Sequence, residues 1–156
     1  MPLSRSEYEM LAAFRFQLRQ FLAFSEQAAE RVGITQHQYQ ALLAVRAHCG
    51  PGLLTVSELA TQLLIRHHSA VGMLDRLEEL RLVQREPDAT DRRRVGIRLT
   101  ASGQRVFERL ASMHRAELRR IGPDMGRFMR FFARATAQDT APAPQSPRSP
   151  GRRARS

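Results

Sequence analysis

Leu54-Thr55-Val56-Ser57-Glu58-Leu59, Arg66-His67-His68-Ser69 and Pro87-Asp88-Ala89-Thr90-Asp91-Arg92-Arg93-Arg94 all fall within one uninterrupted stretch, Leu53 to Thr100. In the first segment Thr55 can accept from the amide of Glu58 while the Glu58 side chain returns to the amide of Thr55, and Leu54 and Leu59 occupy the flanking staple positions, so a helix starts there. The polar cluster Arg66-His67-His68-Ser69 opens a second helix. Its Val71, Leu74 and Leu77 recur at threefold spacing as a narrow buried stripe, which leaves the opposite face free to meet a partner. After Leu82 the period changes to two: Val83 and Arg85, a turn through residues 87–93, then Val95, Ile97 and Leu99 alternating with Arg94, Gly96 and Arg98. That pattern predicts a two-stranded β-wing with an arginine-rich tip, and with the two helices a mostly α winged helix-turn-helix over residues 34–100.

Working outward, 156 residues of which 42% are apolar suffice for one ordinary domain with a real core. The formal net charge is +10 and every one of the 25 basic residues is an arginine. Such an excess points to a polyanion, and the planar guanidinium fork suits phosphate and guanine better than a lysine point charge does. A membrane surface is the competing polyanion. No apolar run approaches the ~20 residues a spanning helix needs, and Met1-Pro2-Leu3-Ser4-Arg5 lacks the apolar centre of a secretion signal, so a cytoplasmic protein with no membrane partner is expected. The single cysteine, Cys49, excludes an intrachain disulfide and reads as an incidental thiol on the turn Cys49-Gly50-Pro51-Gly52.

Upstream, Leu11, Phe14, Leu18, Phe21, Ser25, Ala28 and Val32 alternate spacings of three and four, which predicts a long helix over residues 6–32. Phe16 and Phe24 widen its apolar surface beyond one small core face, as packing on a second subunit requires; a broad core stripe within a monomer fits the same residues. Gly33 ends this helix and Thr35 caps the next, which runs to about His48. Downstream, Thr100-Ala101-Ser102-Gly103 caps a helix carrying Val106, Leu110, Met113 and Ile121. Gly122-Pro123 is expected to interrupt it before a last helix from Asp124 to about Ala135 with Met125, Phe128, Met129 and Phe132 on one side. Residues 136–156 turn to proline, alanine, serine and arginine and read as a disordered Pro/Arg-rich tail, whose Arg148, Arg152, Arg153 and Arg155 would add nonspecific attraction to DNA.

Five blocks in order carry a family resemblance: Leu54-Thr55-Val56-Ser57-Glu58-Leu59-Ala60, Asp75-Arg76-Leu77-Glu78, Leu82-Val83-Gln84-Arg85, Asp88-Ala89-Thr90-Asp91-Arg92-Arg93 and Leu99-Thr100-Ala101-Ser102-Gly103. Over roughly Ser6 to Ala135 the chain resembles the MarR family (multiple antibiotic resistance regulators) of bacterial transcription factors. The resemblance implies a domain of residues 1–135 that forms a triangular homodimer, with helices 6–32 and 101–135 as the dimer interface and two winged units in neighbouring major grooves of double-stranded DNA. It also implies repression that a small aromatic or phenolic ligand relieves, in a cavity lined by the first, second and fifth helices, where Arg15, Arg19, His37 and Arg46 are candidates to bind an anionic group. A twofold dimer calls for a pseudo-palindromic operator with half-site centres about 34 to 36 Å apart.

In one respect the chain departs from the family. Val71 and Gly72 stand where the family often has threonine and arginine, so base reading is expected from Arg66, His67, His68 and Ser69, with Met73 and Arg76 lower on the same face. Gly72 costs about 0.5 to 1 kcal/mol against alanine inside a helix, and either close approach of the backbone to DNA or tolerated drift accounts for it. Thr55 and Ser57 add candidate contacts at the first helix start, and Asp91, Arg92, Arg93 and Arg94 at the wing. There the Asp91 carboxylate is expected to accept from the Arg93 guanidinium and aim it into a minor groove.

Other classes fit less well. The adjacent histidines His67 and His68 point in different directions on a helix, and no cysteine or carboxylate cluster has ligand spacing, so neither a metal nor a cofactor is expected. No nucleophile with its base and no paired carboxylates mark an enzyme. A protein-interaction module could use the same apolar helices, but its binding would show little salt sensitivity, whereas DNA binding weakens steeply with salt.

Overall fold

Reciprocal caps set where the helices begin. In the computed structural model, which describes residues 2–89 and 91–139 with side chains through residue 134, Ser4 and Glu7 cap α1 (Arg5–Glu30), Thr35 and Gln38 cap α2 (Gln36–Ala47), and Thr55 and Glu58 cap α3 (Val56–Gln62). α4 (His67–Glu79) starts behind Arg66 with no side-chain cap. The strands are β1 (Leu54–Thr55), β2 (Val83–Pro87) and β3 (Val95–Leu99), and α5 (Ala101–Asp139) closes the order. The Thr100 hydroxyl accepts from the Gly103 amide at 2.9 Å to start α5. Glycine is needed there, because a Cβ on residue 103 would lie 1.8 Å from the Leu82 carbonyl oxygen.

The core joins all these pieces. Leu42 of α2, Leu54 of β1, Leu59 of α3, Leu74 and Leu77 of α4, Ile97 of β3 and Leu110 of α5 are fully buried. Each such side chain stabilises the fold by roughly 1.5 to 3 kcal/mol, so Leu74 and Leu77 alone hold α4 firmly against α3. Where α1, α2 and α5 meet, the space is taken by rings: His114 stacks on Tyr39 at 4.4 Å and meets Phe24 edge-on at 5.4 Å. Its Nδ1 lies 2.8 Å from the Leu110 carbonyl and its Nε2 2.9 Å from the Ser25 hydroxyl. A carbonyl can only accept, so in the neutral ring Nδ1 carries the proton and Nε2 accepts from Ser25. Both ring nitrogens are thus engaged within the fold.

Several expectations change in the folded chain. The wing is not a two-stranded ribbon alone: β1 adds to it, giving a three-stranded antiparallel sheet of order β1-β3-β2 with Leu54 opposite Ile97. The buried stripe of α4 is Ala70, Leu74 and Leu77, with Val71 only half-buried, because a spacing of four then three follows the 3.6-residue turn better than two threes. Gly122-Pro123 does not break the last helix, and α5 runs continuously with Pro123 inside it. The local cost of proline is outweighed by the stripe Leu110, His114, Ile121 and Phe128, all buried on both sides of it. The same helix extends to Asp139, past the expected tail start at residue 136, and residues 140–156 lie outside the described residues.

The turn between α3 and α4 is a Schellman motif: the Ile65 amide donates to the Ala60 carbonyl at 3.0 Å and the Leu64 amide to that of Thr61 at 3.2 Å. The position that usually takes glycine is Leu64, at φ 55° and 93% exposed. Left-handed backbone costs a β-carbon residue about 1 to 2 kcal/mol, of which glycine's greater freedom in the unfolded chain returns part. Leu64→Gly should therefore raise the unfolding free energy by about 0.5 to 1 kcal/mol in a denaturant titration, and a loss would show that Leu64 makes contacts this exposure denies it.

Candidate nucleic-acid interface

Thr55, Glu58 and Arg94 form one cluster at the start of α3. The Thr55 amide and hydroxyl both donate to Glu58 Oε2 at 2.8 Å, and the Arg94 guanidinium reaches Glu58 Oε1 at 3.3 Å. The two Thr55 bonds hold the Glu58 carboxyl below its ordinary range against a smaller opposing effect of burial, with a lesser contribution from the Arg94 charge. Thr55 and Arg94 are therefore occupied in joining the wing to the start of α3. Arg94–Glu58 is a half-exposed pair and contributes at most about 1 kcal/mol.

Both helices and the wing carry exposed candidates. Ser57, Arg66, His67, His68, Ser69 and Arg76 are exposed along α3 and α4, and Asp91, Arg92 and Arg93 are exposed at the wing tip. Gly72 and Met73 are half-buried, with Met73 packed against the core. At the tip the Asp91 carboxylate does not take the Arg93 guanidinium: its Oδ1 accepts from the Arg93 backbone amide at 3.0 Å, and the Asp91 carbonyl accepts from the Arg94 amide at 2.9 Å. An aspartate reaches an amide two residues on with little loss of freedom, the Asx-turn, whereas a guanidinium contact would immobilise a long side chain. Arg93 is aimed through its backbone, and its guanidinium meets no acceptor among the described residues.

Two long-range ties hold the wing. Arg85 of β2 donates from its amide to Glu78 Oε1 at 2.8 Å, and its guanidinium pairs with Glu78 Oε2, with Asp75 Oδ1 at 2.8 Å and with the Val71 carbonyl at 3.3 Å. One side chain thus grips two turns of α4. Asp88, at the base of the wing tip, is 2% exposed and accepts from the Leu53 amide at 3.1 Å. Gly52, at φ +74°, must be glycine, since a Cβ there would lie 2.0 Å from Asp88 Oδ2. Neither residue stands out in sequence as a site residue. The signal for Arg85 is an arginine at the same inward phase as Val83; for Asp88 there is none, because its partner is 35 residues away.

The candidates for an anionic ligand do not converge. Arg15 and Arg19 are exposed on α1, Arg19 lying over the Phe16 ring at 5.9 Å. His37 lines a cleft between α2 and α4, while Arg46 lines a different one beside Ile97, Leu99 and Gln104.

A sequence model of the MarR family matches residues 32–94. The repressor NicR of Pseudomonas putida is 31% identical over 111 residues, which cover 69% of this chain and 68% of NicR. The chain belongs to the MarR family. MdtR of Bacillus subtilis, also named a transcriptional repressor, is 31% identical over 94 residues, 60% of this chain and 59% of MdtR, and for other curated relatives of this MarR-family chain the match spans about half their length. The Staphylococcus aureus MepR–DNA complex superposes with a TM-score of 0.65 at 25% identity, covering 88% of this chain and 97% of MepR.

The Asx-turn at the wing tip makes a distinction between two substitutions. Asp91→Asn keeps an acceptor oxygen and removes a negative charge, so it should bind duplex DNA as tightly as the parent or more tightly; Asp91→Ala frees the turn and should bind several-fold more weakly, about 0.5 to 1.5 kcal/mol for one lost hydrogen bond. Fluorescence anisotropy on one labelled duplex at fixed salt compares the three, and equal gains in both variants would show that Asp91 acts only as a charge.

Proposed function

We propose that this chain is a sequence-specific, DNA-binding transcriptional regulator of the bacterial cytoplasm, acting as a homodimeric repressor on a pseudo-palindromic operator. The observation that carries the reading is the tie of α4 to the wing through Arg85, with the polar start of α4 and the wing-tip Arg92 and Arg93 all left exposed. A recognition helix of this kind meets base edges in the major groove through its first turns, here Arg66, His67, His68 and Ser69, while a narrow adjacent minor groove attracts arginine. Kinship with NicR and MdtR, both named repressors, and likeness to MepR in its DNA complex support it.

Dimerisation is supported by the long helices. Leu11 and Leu22 lie about three turns apart on one side of α1, as Leu118 and Met129 do on α5, and each of the four is at least 40% exposed. Apolar rows of that length on both terminal helices call for a second subunit. The expected effector is a small aromatic or phenolic ligand, taken up near the ring cluster where α1, α2 and α5 meet.

The test is binding to the DNA upstream of the chain's own gene across a salt series. Log K should fall by about 0.9 for each phosphate contact neutralised, and the protected sequence should be an inverted repeat. Binding that ignores salt would favour a protein-interaction module instead, and a protected direct repeat would contradict the twofold.

A further inference from the structure

Gly72 sits in the middle of α4, in the residue type least suited to a helix interior save proline. Packing within the chain does not require it, since a Cβ at residue 72 would find no atom within 4 Å. The bare backbone faces a cleft of about 510 Å³ lined by Gly72, His68, Ser69, Met73 and Arg76 of α4 and by Thr35, His37 and Gln38 at the start of α2. The chemistry of this lining is one-sided: it holds an arginine, two histidines, a serine and an amide, and no carboxylate. Asp75, the nearest acid in sequence to Arg76, is turned away to Arg85. Gln38, 8% exposed, accepts at its Oε1 from the Thr35 amide at 2.8 Å, which leaves its Nε2 without an acceptor among the described residues.

A helix lying in a major groove has a phosphate strand on either side of it. With α4 in the groove, the wall formed by α2 stands where one of those strands runs. We propose that the cleft between α2 and α4 seats one sugar–phosphate strand of the bound duplex, with Gly72 as its point of close approach and His37, Gln38 and Arg76 as its donors. This rests on the DNA-binding reading above, and it gives His37 a partner on the DNA rather than on a small-molecule effector. It also makes Gly72 a functional residue: alanine would improve the helix and obstruct the strand.

The experiment measures unfolding and DNA affinity in the same variants, on an operator duplex and on an unrelated duplex of equal length. Gly72→Ala should unfold at higher temperature than the parent and bind both duplexes at least about tenfold more weakly, since a strand contact carries no sequence information and one hydrogen bond to a charged group is worth that much. His37→Ala should weaken both alike, and Arg76→Ala should lower the salt slope by about 0.9. Wild-type affinity in Gly72→Ala and His37→Ala, with the parent still binding DNA, would overturn the cleft proposal and leave the DNA reading standing. A loss confined to the operator would also overturn it, since Gly72 would then approach bases. A parent chain that binds neither duplex would overturn both.

Discussion

A helix and a hairpin can read one piece of DNA only if the angle between them is kept, and in this chain that angle depends on Arg85. Its guanidinium reaches Glu78, Asp75 and the Val71 carbonyl, while its own amide is tied to the second oxygen of Glu78. Hydrophobic burial holds α4 against α3, but the driving force for that burial is itself non-directional. Bonds to a planar fork are directional. Three acceptors spread over two turns of helix therefore specify an orientation that Leu74 and Leu77 alone would not.

The wing is held at its other end by different means. Asp88 fastens the base of the tip to the loop before β1 through the Leu53 amide, and Arg94 carries the wing to the cap of α3 through Glu58. β3 is paired on both sides, with β1 and β2, so the tip projects from a sheet rather than from a free hairpin. α5 leaves from the same place, because the Thr100 amide donates to the Leu82 carbonyl at 3.1 Å and Thr100 caps the helix. The reader and the long helix proposed for dimerisation are thus joined without an intervening linker, and the spacing of two readers in a dimer would be set by rigid elements.

What could be read from the sequence is what local chemistry decides. Thr55 with Glu58 and Thr35 ahead of Gln36 mark helix starts because a cap acts within three residues. The period-two run after Leu82 gives the two long strands, and five spaced blocks point to the family. What escaped has partners far along the chain. β1 is two residues long and exists only because Leu54 meets Ile97; Asp88 matters only because Leu53 comes to it. Pro123 was a sound local signal overruled by burial on either side, and the guanidinium expected on Asp91 gave way to the nearer amide of Arg93. Among the candidate site residues, Arg66, His67, His68, Ser69, Arg92 and Arg93 are exposed, as polar residues at a helix start and a hairpin tip are expected to be, while His37 and Arg46, both on α2, line separate clefts, which depends on the packing of distant elements.

If Arg85 holds them, α4 and the wing act as one rigid reader. The direct measurement is a double-mutant cycle of DNA affinity, at fixed salt and below the unfolding temperature of every variant, in which Arg93→Ala is measured with Arg85 present and with Arg85→Met. If Arg85 sets the angle, the wing arginine is already misplaced in Arg85→Met, and Arg93→Ala should then cost much less than it does in the parent. The same cost in both backgrounds would show that the wing finds its groove without Arg85, and would contradict the account.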